Sequence, residues 1–134
     1  MIKRTYPQSR LRRTRAKGYL RDLVAENHLS TNDLIQPIFV ADQSEMKVDI
    51  PSMPGIFRHN LESLYAETEE LIAQGIKSIA IFPAIDSDKK DSQGSHAFDD
   101  NNIVCSALRG LAERFPEVIK IADVALDPYT DHGH

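Results

Sequence analysis

The sequence predicts an α/β fold, because three apolar runs typical of strands alternate with two segments of helical periodicity. The runs cover residues 34–41, 78–85 and 118–126, and the helical segments lie between them. Strands joined by a helix normally lie parallel in one sheet, with a right-handed crossover. A chain of 134 residues suits a single domain.

The first 60 residues contain one short predicted helix and one predicted strand. A short helix and turn are expected from Gly18 to His28, and residues 34–41 then form an apolar run rich in β-formers. Pro37 in this run argues against a fully paired central position in the sheet. Residues 42–60 contain two prolines and a glycine without a sustained period, which predicts a long ordered loop.

Both predicted helices show one apolar face and clear end signals. Asn60 suits the N-cap of the first helix and Gly75 its C-terminal end, while Phe115-Pro116 stops the second helix. Residues 86–101 are polar and predict a loop at the carboxyl end of the second strand. The apolar helix positions are Leu61, Leu64, Tyr65, Leu71 and Ile72 in the first helix and Val104, Ala107, Leu108, Leu111 and Ala112 in the second.

Two architectures accept this order of elements, an open doubly wound sheet and a closed TIM (β/α)8 barrel. The sequence lacks the glycine-rich turn that commonly accompanies the open sheet, which favours the barrel without deciding between them. We therefore expect residues 34–134 to form the first three strands of a partial TIM barrel with their helices. Residues 1–33 are expected to form an N-terminal basic arm and short helix. A barrel takes about 250 residues, so the predicted barrel is truncated after strand three.

The charge is divided unevenly along the chain. Up to Arg21 there are eight basic residues and no acidic ones, so all 20 acidic side chains lie in the remainder. Such an arm suits nucleic acid, an organelle transit peptide or an acidic surface of a neighbouring subunit. Because the rest of the chain offers no nucleic-acid-binding motif, we favour subunit contact and expect no nucleic-acid partner.

The apolar content sets the remaining limits on function. No apolar run approaches the roughly 18–20 residues of a membrane helix, so we expect no membrane partner and a cytoplasmic location. Cys105 is the only cysteine, which excludes a disulfide framework within the chain and a zinc site built from its thiolates. We interpret Cys105 as a small buried hydrophobe on a helix.

The densest polar cluster follows the third predicted strand, and active-site groups of both architectures gather at that end of a strand. Residues 123–134 hold three aspartates and two histidines. Strand alternation would put Asp123, Ala125 and Asp127 on one face. Two hypotheses remain open at this point: a solvated loop whose aspartates cap turns, or the mouth of a metal or substrate site.

These last residues carry a family resemblance. Asp123 to His134 resembles the D-V-x-L-x-P-Y-T-x-H-G-H signature of the porphobilinogen synthase (delta-aminolevulinic acid dehydratase) family. Other segments resemble the same family in order along the chain. They are Arg12-Arg13 and Arg15, Asp33 to Ile35 leading into Pro37 to Val40, Ile50 to Gly55, Phe82, Lys90-Asp91, Gly94-Ser95 and Phe115-Pro116.

The resemblance implies a TIM-barrel enzyme that condenses two molecules of 5-aminolevulinate, with loss of water, to porphobilinogen in tetrapyrrole (haem) biosynthesis. It also implies a homo-oligomer, typically an octamer, in which Arg12 and Arg13 of the arm contact a neighbouring subunit. By position, Asp123 is a supporting active-site acid and Phe82 an apolar wall of the substrate site.

The resemblance also bears on the metal. Zinc-dependent members carry cysteines where this chain has Ala125 and Asp127, so the chain resembles the aspartate-type branch of the family. That branch implies magnesium, at a position that is often allosteric, and no zinc at a cysteine site. Asp127 is then the metal candidate, while the resemblance gives no role to Asp131, His132 or His134.

Members of this family hold substrate as Schiff bases on lysines of later strands, which this chain lacks. Lys120 has the opposite strand parity to Asp123, Lys77 lies at the wrong end of its strand, and Lys89 and Lys90 lie in a polar loop. We therefore expect the chain to be inactive alone. The alternative is a non-catalytic fragment that docks on a full-length homologue and modulates its assembly.

Overall fold

The computed structural model describes residues 5–7, 9, 10 and 12–133, and of the predicted arm residues 1–4, 8 and 11 lie outside this set. Three helices and five strands are found in the described part of the chain. In order they are α1 (Gly18–Leu23), β1 (Gln36–Val40), β2 (Lys47–Asp49), β3 (Phe57–His59), α2 (Leu61–Ala73), β4 (Ser78–Pro83), α3 (Ile103–Arg114) and β5 (Ile119–Ala122).

The five strands form one mixed sheet in the order β2-β3-β1-β4-β5. β1, β4 and β5 are the three predicted strands, and they run parallel in register from Gln36 opposite Ile79 and from Ser78 opposite Ile119. β2 and β3 form an antiparallel pair, and β3 runs parallel to β1. The prediction of a plain loop over residues 42–60 was therefore wrong for two three-residue strands, which are stabilised by pairing with β1 rather than by any local apolar period.

Both long helices pack on the same face of the sheet. α2 contacts β1 and β3, α3 contacts β1, β4 and β5, and the two helices contact each other. Right-handed crossovers that proceed in one direction across a sheet place their helices on one face, and a barrel keeps all its helices outside, so the arrangement agrees with a barrel. The buried core between helices and sheet is built from Ile38, Val40, Leu64, Leu71, Ile79, Ile81, Ile103, Val104, Ala107, Leu111, Phe115 and Val118.

The opposite face of the sheet has no helix on it within the described residues. Phe39 and Phe82 lie in register on this face with ring centroids 5.9 Å apart. Ile119 and Ile121 of β5 are 60% and 39% exposed. The uncovered face is thus apolar, as is the interior of a barrel.

β1 lies at the centre of the sheet, and as Pro37 predicts it is not fully paired there. The carbonyl of Val40 accepts a hydrogen bond from Ala84 on the β4 side, and Ala41 donates to His59 on the β3 side. Alternation directs the nitrogen of Pro37 toward β3, whose pairing with β1 begins only at Phe39. The missing N–H therefore falls where no partner strand lies.

The predicted end signals of α2 are confirmed, and α3 has an N-cap, Asn102, that was not predicted. Asn60 accepts a hydrogen bond from the Ser63 amide at 2.9 Å, and Asn102 accepts one from the Cys105 amide at 2.9 Å. Gly75 has a φ of +88°, the left-handed conformation that closes many helices. The first helix is shorter than predicted, since α1 ends at Leu23 rather than near His28 and buries none of its residues.

The third predicted strand is also shorter than expected. β5 ends at Ala122, and residues 127–129 form a 3-10 turn that begins with Asp127-Pro128. Beyond Ala122 the strand has only β4 as a neighbour, and β4 pairs with it no further than Ile81. The apolar residues between Ala122 and Asp127 therefore lie in a loop.

Candidate active site at the carboxyl edge of the sheet

The larger of two cavities at the carboxyl edge of the sheet has a volume of about 440 Å³ and opens between the ends of β1 and β4. Four charged side chains line it, Arg58 and Lys90 with positive charge and Asp86 and Asp127 with negative charge. They come from four separate places in the chain: β3, the end of β4, the loop after β4 and the turn after β5. The fold therefore gathers at one point charges that are scattered in the sequence.

Arg58 is held at this edge by its backbone. It lies opposite Phe39 in the β1–β3 register. The side-chain amide of Gln43 donates to the Arg58 carbonyl at 3.1 Å and to the Glu45 carbonyl at 3.0 Å, which links the β1–β2 loop to β3. Arg58 was not predicted as a site residue, because the strand that carries it was expected to be a loop.

Lys89 and Lys90 are adjacent in sequence but differ in their surroundings. Lys89 donates to a carboxylate oxygen of Asp42 at 2.7 Å, and this hydrogen bond is the main reason its pKa is raised above the ordinary value of 10.5. Lys90 is partly buried and lines the cavity. Within the described part of the chain, ion pairs form at Lys47–Glu67 and Lys89–Asp42, so neither Lys90 nor Arg58 is neutralised by a carboxylate.

Asp123 faces a second, smaller and more apolar cavity of about 240 Å³. Its carboxylate accepts a hydrogen bond from the Ala125 amide at 3.2 Å. Tyr129 lines the same cavity and is buried; burial first, then the nearby Cys105 and Asp123, raises the pKa of its phenol. Cys105 is only partly buried here, so its interpretation as a fully buried hydrophobe needs this correction.

Asp123 and Asp127 are therefore not brought together. Residues 122–126 all line the smaller cavity, whereas Asp127 lines the larger one. The expected alternation that placed Asp123, Ala125 and Asp127 on one face was wrong, because the strand ends before any of them. Phe82, the predicted apolar wall, lies on the uncovered face of the sheet beside Phe39.

The loops that follow β4 and β5 are tied to each other by backbone pairing. Asp91 and Thr130 form a parallel bridge, in which Asp91 donates to the Tyr129 carbonyl at 3.3 Å and Asp131 donates to the Asp91 carbonyl at 3.1 Å. The imidazole of His132 lies 3.3 Å from the Ser92 carbonyl. Asp127 is therefore held from both sides, by β5 and by the loop that carries Lys90.

Asp91 and Gly94 shape the first of these loops. The Asp91 carboxylate accepts from the amides of Ser95 and Gln93, and these hydrogen bonds, that of Ser95 foremost, lower the pKa of its carboxyl. Gly94 has a φ of +64°, and a Cβ there would lie 3.5 Å from the side chains of both Thr130 and Tyr129. The contacts of Asp91 and Gly94 therefore fix the shape of this loop and its packing against the segment after β5.

The described residues offer no ready metal site. Across residues 12–133 and the few described before them, no three His, Cys, Asp or Glu side chains come together as a metal ion requires. Asp127, the metal candidate, shares its cavity with Asp86 but belongs to no such group of three, and His134 lies outside the described residues. The donors present do not fit magnesium.

The arm residues Arg12 and Arg13 are exposed and lie at the start of a 3-10 turn that spans Arg13–Arg15. The turn and α1 bury no residue. Among the described helices, none combines the length and apolar character needed to cross a bilayer. The geometry leaves the contact role of the two arginines as a prediction.

The chain is an α/β protein with a mixed five-stranded sheet and its long helices on one face. The cavities lined by Asp127 and Asp123 lie at the carboxyl edge of the sheet, where α/β enzymes place their active sites. The sequence profile of the Delta-aminolevulinic acid dehydratase family matches residues 8–134. The chain belongs to this family, which confirms the resemblance drawn from its motifs.

Individual relatives agree with the profile. The delta-aminolevulinic acid dehydratases of Chlamydia pneumoniae and Bradyrhizobium diazoefficiens are 45% and 42% identical to the chain over 125 residues, which is 93% of it. The crystal structure of the Toxoplasma gondii enzyme (porphobilinogen synthase), in complex with the reaction product porphobilinogen, is similar to 95% of this chain with a TM-score of 0.85 and 41% identity. The sheet is thus similar to part of the TIM-barrel fold of porphobilinogen synthase.

The matches cover a minor part of each relative. The chain spans 38% of the Chlamydia protein, 35% of the Bradyrhizobium protein and 36% of the Toxoplasma chain. The matches therefore show the family of the chain, whereas the activity of the whole enzyme does not follow from them.

Proposed function

We propose that these residues serve the condensation of two 5-aminolevulinate molecules to porphobilinogen, as part of a porphobilinogen synthase. The observation that carries the proposal is the similarity of 95% of the chain to an enzyme whose structure holds that product. The polar cavities at the carboxyl edge agree with it, since TIM-barrel enzymes place their chemistry there.

In this proposal Asp123 acts as a supporting acid and Phe82 as an apolar wall. The Asp123 carboxylate is oriented by the Ala125 amide and borders a largely apolar cavity, where a carboxylate's charge is screened less than in water. Phe82 projects from the uncovered face, where a ring shields a reacting carbon from water without competing for hydrogen bonds.

We further propose that the Schiff-base amines are not among the described lysines. Lys47 is ion-paired with Glu67, Lys89 is ion-paired with Asp42, and Lys120 donates to the Phe115 carbonyl on the helix side of the sheet. Lys17 is exposed in the arm, Lys77 precedes β4 at its amino end, and Lys90 shares its cavity with the carboxylates Asp86 and Asp127. An amine that is held in an ion pair, or that donates to a carbonyl, is not free to attack a substrate carbonyl. The 134 residues alone should therefore not turn substrate over.

Three further features belong to the proposal. Homo-oligomer formation, octameric by family, would use Arg12 and Arg13 of the exposed arm against a neighbouring subunit. The location would be cytoplasmic. Magnesium, which the resemblance implies, would need ligands from outside the described residues, and no step is assigned to it.

A chimera tests the proposed reaction. This chain replaces the matching segment of the Chlamydia pneumoniae relative, and porphobilinogen is measured after addition of 5-aminolevulinate. The chimera is expected to form product, whereas the 134-residue chain alone and the relative without its matching segment form none. A chimera that is folded by circular dichroism and yet makes no porphobilinogen would overturn the proposal.

Borohydride reduction tests the proposal about the lysines. When the 134-residue chain is treated with 5-aminolevulinate and borohydride, no added mass is expected on any lysine. Mass spectrometry that finds substrate covalently trapped on this chain would contradict it.

A second function, docking on a full-length homologue, is favoured by the exposed apolar side chains of β5. Ile119 and Ile121 lie on a strand with a single neighbour, and such an edge recruits another chain readily. Co-purification with an intact homologue that is lost on Arg12→Ala and Arg13→Ala would support this function. A lone monomer in the presence of the homologue would exclude it.

A further inference from the structure

The loop after β4 contains a motif of the family resemblance, Lys90-Asp91 followed by Gly94-Ser95, in which the proposed reaction gives Asp91 no role. Asp91 is exposed and lines neither cavity at the carboxyl edge, so it is not placed to touch a ligand there. Its hydrogen bonds instead join the loop after β4 to the segment after β5. They indicate a role in holding other groups in position.

We propose that Asp91 is a positioning residue for the reaction, because it anchors the segment that carries Asp127 and orients Asp123. The inference rests on the proposed function, in which Asp123 is the supporting acid. Asp91 acts through the backbone of that segment and does not itself touch the substrate.

The segment in question, residues 124–129, is named the β5 arch. Just before it, the Asp123 amide donates to the Ile81 carbonyl of β4 at 3.4 Å. Just after it, Thr130 forms the parallel bridge with Asp91. The β5 arch therefore has one anchor on the sheet and a second anchor on Asp91.

The β5 arch holds the groups that the second anchor keeps in place. The Ala125 amide donates to the Asp123 carboxylate at 3.2 Å, and Asp127 lines the larger cavity. The Tyr129 amide closes the arch on the Leu126 carbonyl at 2.8 Å. A loop fixed at one end samples more conformations than a loop fixed at both ends. A displacement of about 1 Å in an active site can lower the rate about 100-fold.

A single side-chain oxygen of Asp91 shapes this anchor. Oδ1 accepts from the Gln93 amide at 2.9 Å and from the Ser95 amide at 3.0 Å. The backbone of the same residue donates to the Tyr129 carbonyl and accepts from the Asp131 amide. The side chain thus shapes the loop, and the backbone makes the bridge. Because both amides share Oδ1, asparagine can keep both hydrogen bonds, whereas alanine loses both.

Asp99 provides a matched control. Its carboxylate is also exposed and accepts from the amide two residues further on, that of Asn101, at 2.8 Å. It lies in the same connection between β4 and α3 as Asp91, but in the described part of the chain it does not bridge to the segment after β5. Asp99→Ala therefore removes an aspartate turn without removing the anchor.

Steady-state kinetics of the chimera test the role of Asp91. Asp91→Ala should lower kcat about 10- to 100-fold and change KM less than about twofold, because the displaced groups act in the transition state. Asp91→Asn should keep kcat within about threefold of the parent chimera, since it retains Oδ1. Asp99→Ala should leave both constants at the parent values.

Hydrogen exchange of the 134-residue chain tests the anchor without reference to the reaction. In Asp91→Ala the Asp131 amide, which donates across the bridge, should exchange about tenfold faster, the effect of one lost charge-assisted hydrogen bond. The Leu71 amide in the core of α2 should keep its rate, which distinguishes a released loop from general unfolding.

The proposal is overturned if Asp91→Ala keeps the parent kcat, if Asp99→Ala lowers kcat equally, or if Asp91→Asn is as slow as Asp91→Ala. Unchanged exchange of the Asp131 amide in Asp91→Ala also overturns it, because the anchor would then not depend on the side chain. A parent chimera that makes no porphobilinogen removes the proposed reaction, and hydrogen exchange then decides the anchor by itself.

Discussion

Gly110 lies in the middle of α3, where alanine would ordinarily be the better helix former, yet we expect Gly110→Ala to destabilise the protein. A Cβ at position 110 would lie 2.7 Å from Cζ of Tyr65 on α2 and closer still to its hydroxyl. Tyr65 is not free to move away without loss. Its ring packs 6.4 Å from that of Phe115, and the Arg114 guanidinium lies 4.3 Å from its centroid.

The magnitude follows from opposing contributions. Replacing a mid-helix glycine by alanine gains about 1 kcal/mol of helix propensity. Displacing the Tyr65 ring loses an aromatic contact of about 0.5–1.5 kcal/mol and an exposed cation–π contact of about 0.5–1 kcal/mol. The repacking that an overfilled contact forces adds about 1 kcal/mol. Gly110→Ala should therefore cost about 1–2.5 kcal/mol of unfolding free energy overall.

Urea denaturation followed by circular dichroism measures this cost in two backgrounds. In the Tyr65→Ala background the clash is gone, so Gly110→Ala should instead stabilise by about 1 kcal/mol. The sign of the effect thus reverses between backgrounds. A stabilising Gly110→Ala in the parent chain, or an effect of the same sign in both, would refute the reasoning.

The other predictions concern pH, a helix cap and the site. Burial first of all lowers the pKa of His59, whose Nδ1 lies 2.8 Å from the Ser63 hydroxyl, so the unfolded chain binds its proton more readily. The contribution of His59 to the free energy of unfolding should be complete above pH 6.5, the ordinary pKa of histidine, and should fall as the pH drops below it. The fall from this group cannot exceed about 1.4 kcal/mol per pH unit. In urea denaturation at a series of pH values, His59→Gln should flatten this part of the profile. Asn102→Ala should cost about 1–2 kcal/mol in the same assay, since it removes the α3 cap and a hydrogen bond to the Ala97 carbonyl; Asn102→Asp, which keeps the cap, should cost less. In the chimera, Asp123→Asn should lower the rate of porphobilinogen formation about 100-fold with Asp100→Asn near the parent rate, and equal rates would remove Asp123 from the chemistry.

The parts of the fold that could be predicted from the sequence are those with strong local signals. Both long helices have an apolar face, an asparagine N-cap and a clear stop, and they form close to where expected. β4 is a continuous apolar run because Ile79 and Ile81 lie in the core under the helices, while Phe82 lies on the uncovered apolar face. The hairpin of β2 and β3 could not be found this way, because three-residue strands carry no period and form only against β1.

The candidate site was predicted only in part for the same reason. The polar cluster after β5 was correctly located at the carboxyl edge, but its residues divide between two cavities because the strand ends early. Arg58 was missed because its strand was missed, although it closely follows the Ile50 to Gly55 motif that carried the family resemblance. Lys90 was expected to lie in a solvated loop because its neighbours in sequence are polar. In the structure it lines a cavity with residues at the ends of β1 and β4.

The bridge between Asp91 and Thr130 also limits where the chain can change in length. An insertion between Ser92 and Gly94 would lie beside this bridge and in the turn that packs against Tyr129, so we expect it to destabilise both loops. The tip of the β2–β3 hairpin is different, since nothing lies within 4 Å of a Cβ built at Gly55. An affinity tag or fluorescent label is best inserted at that tip, away from both cavities.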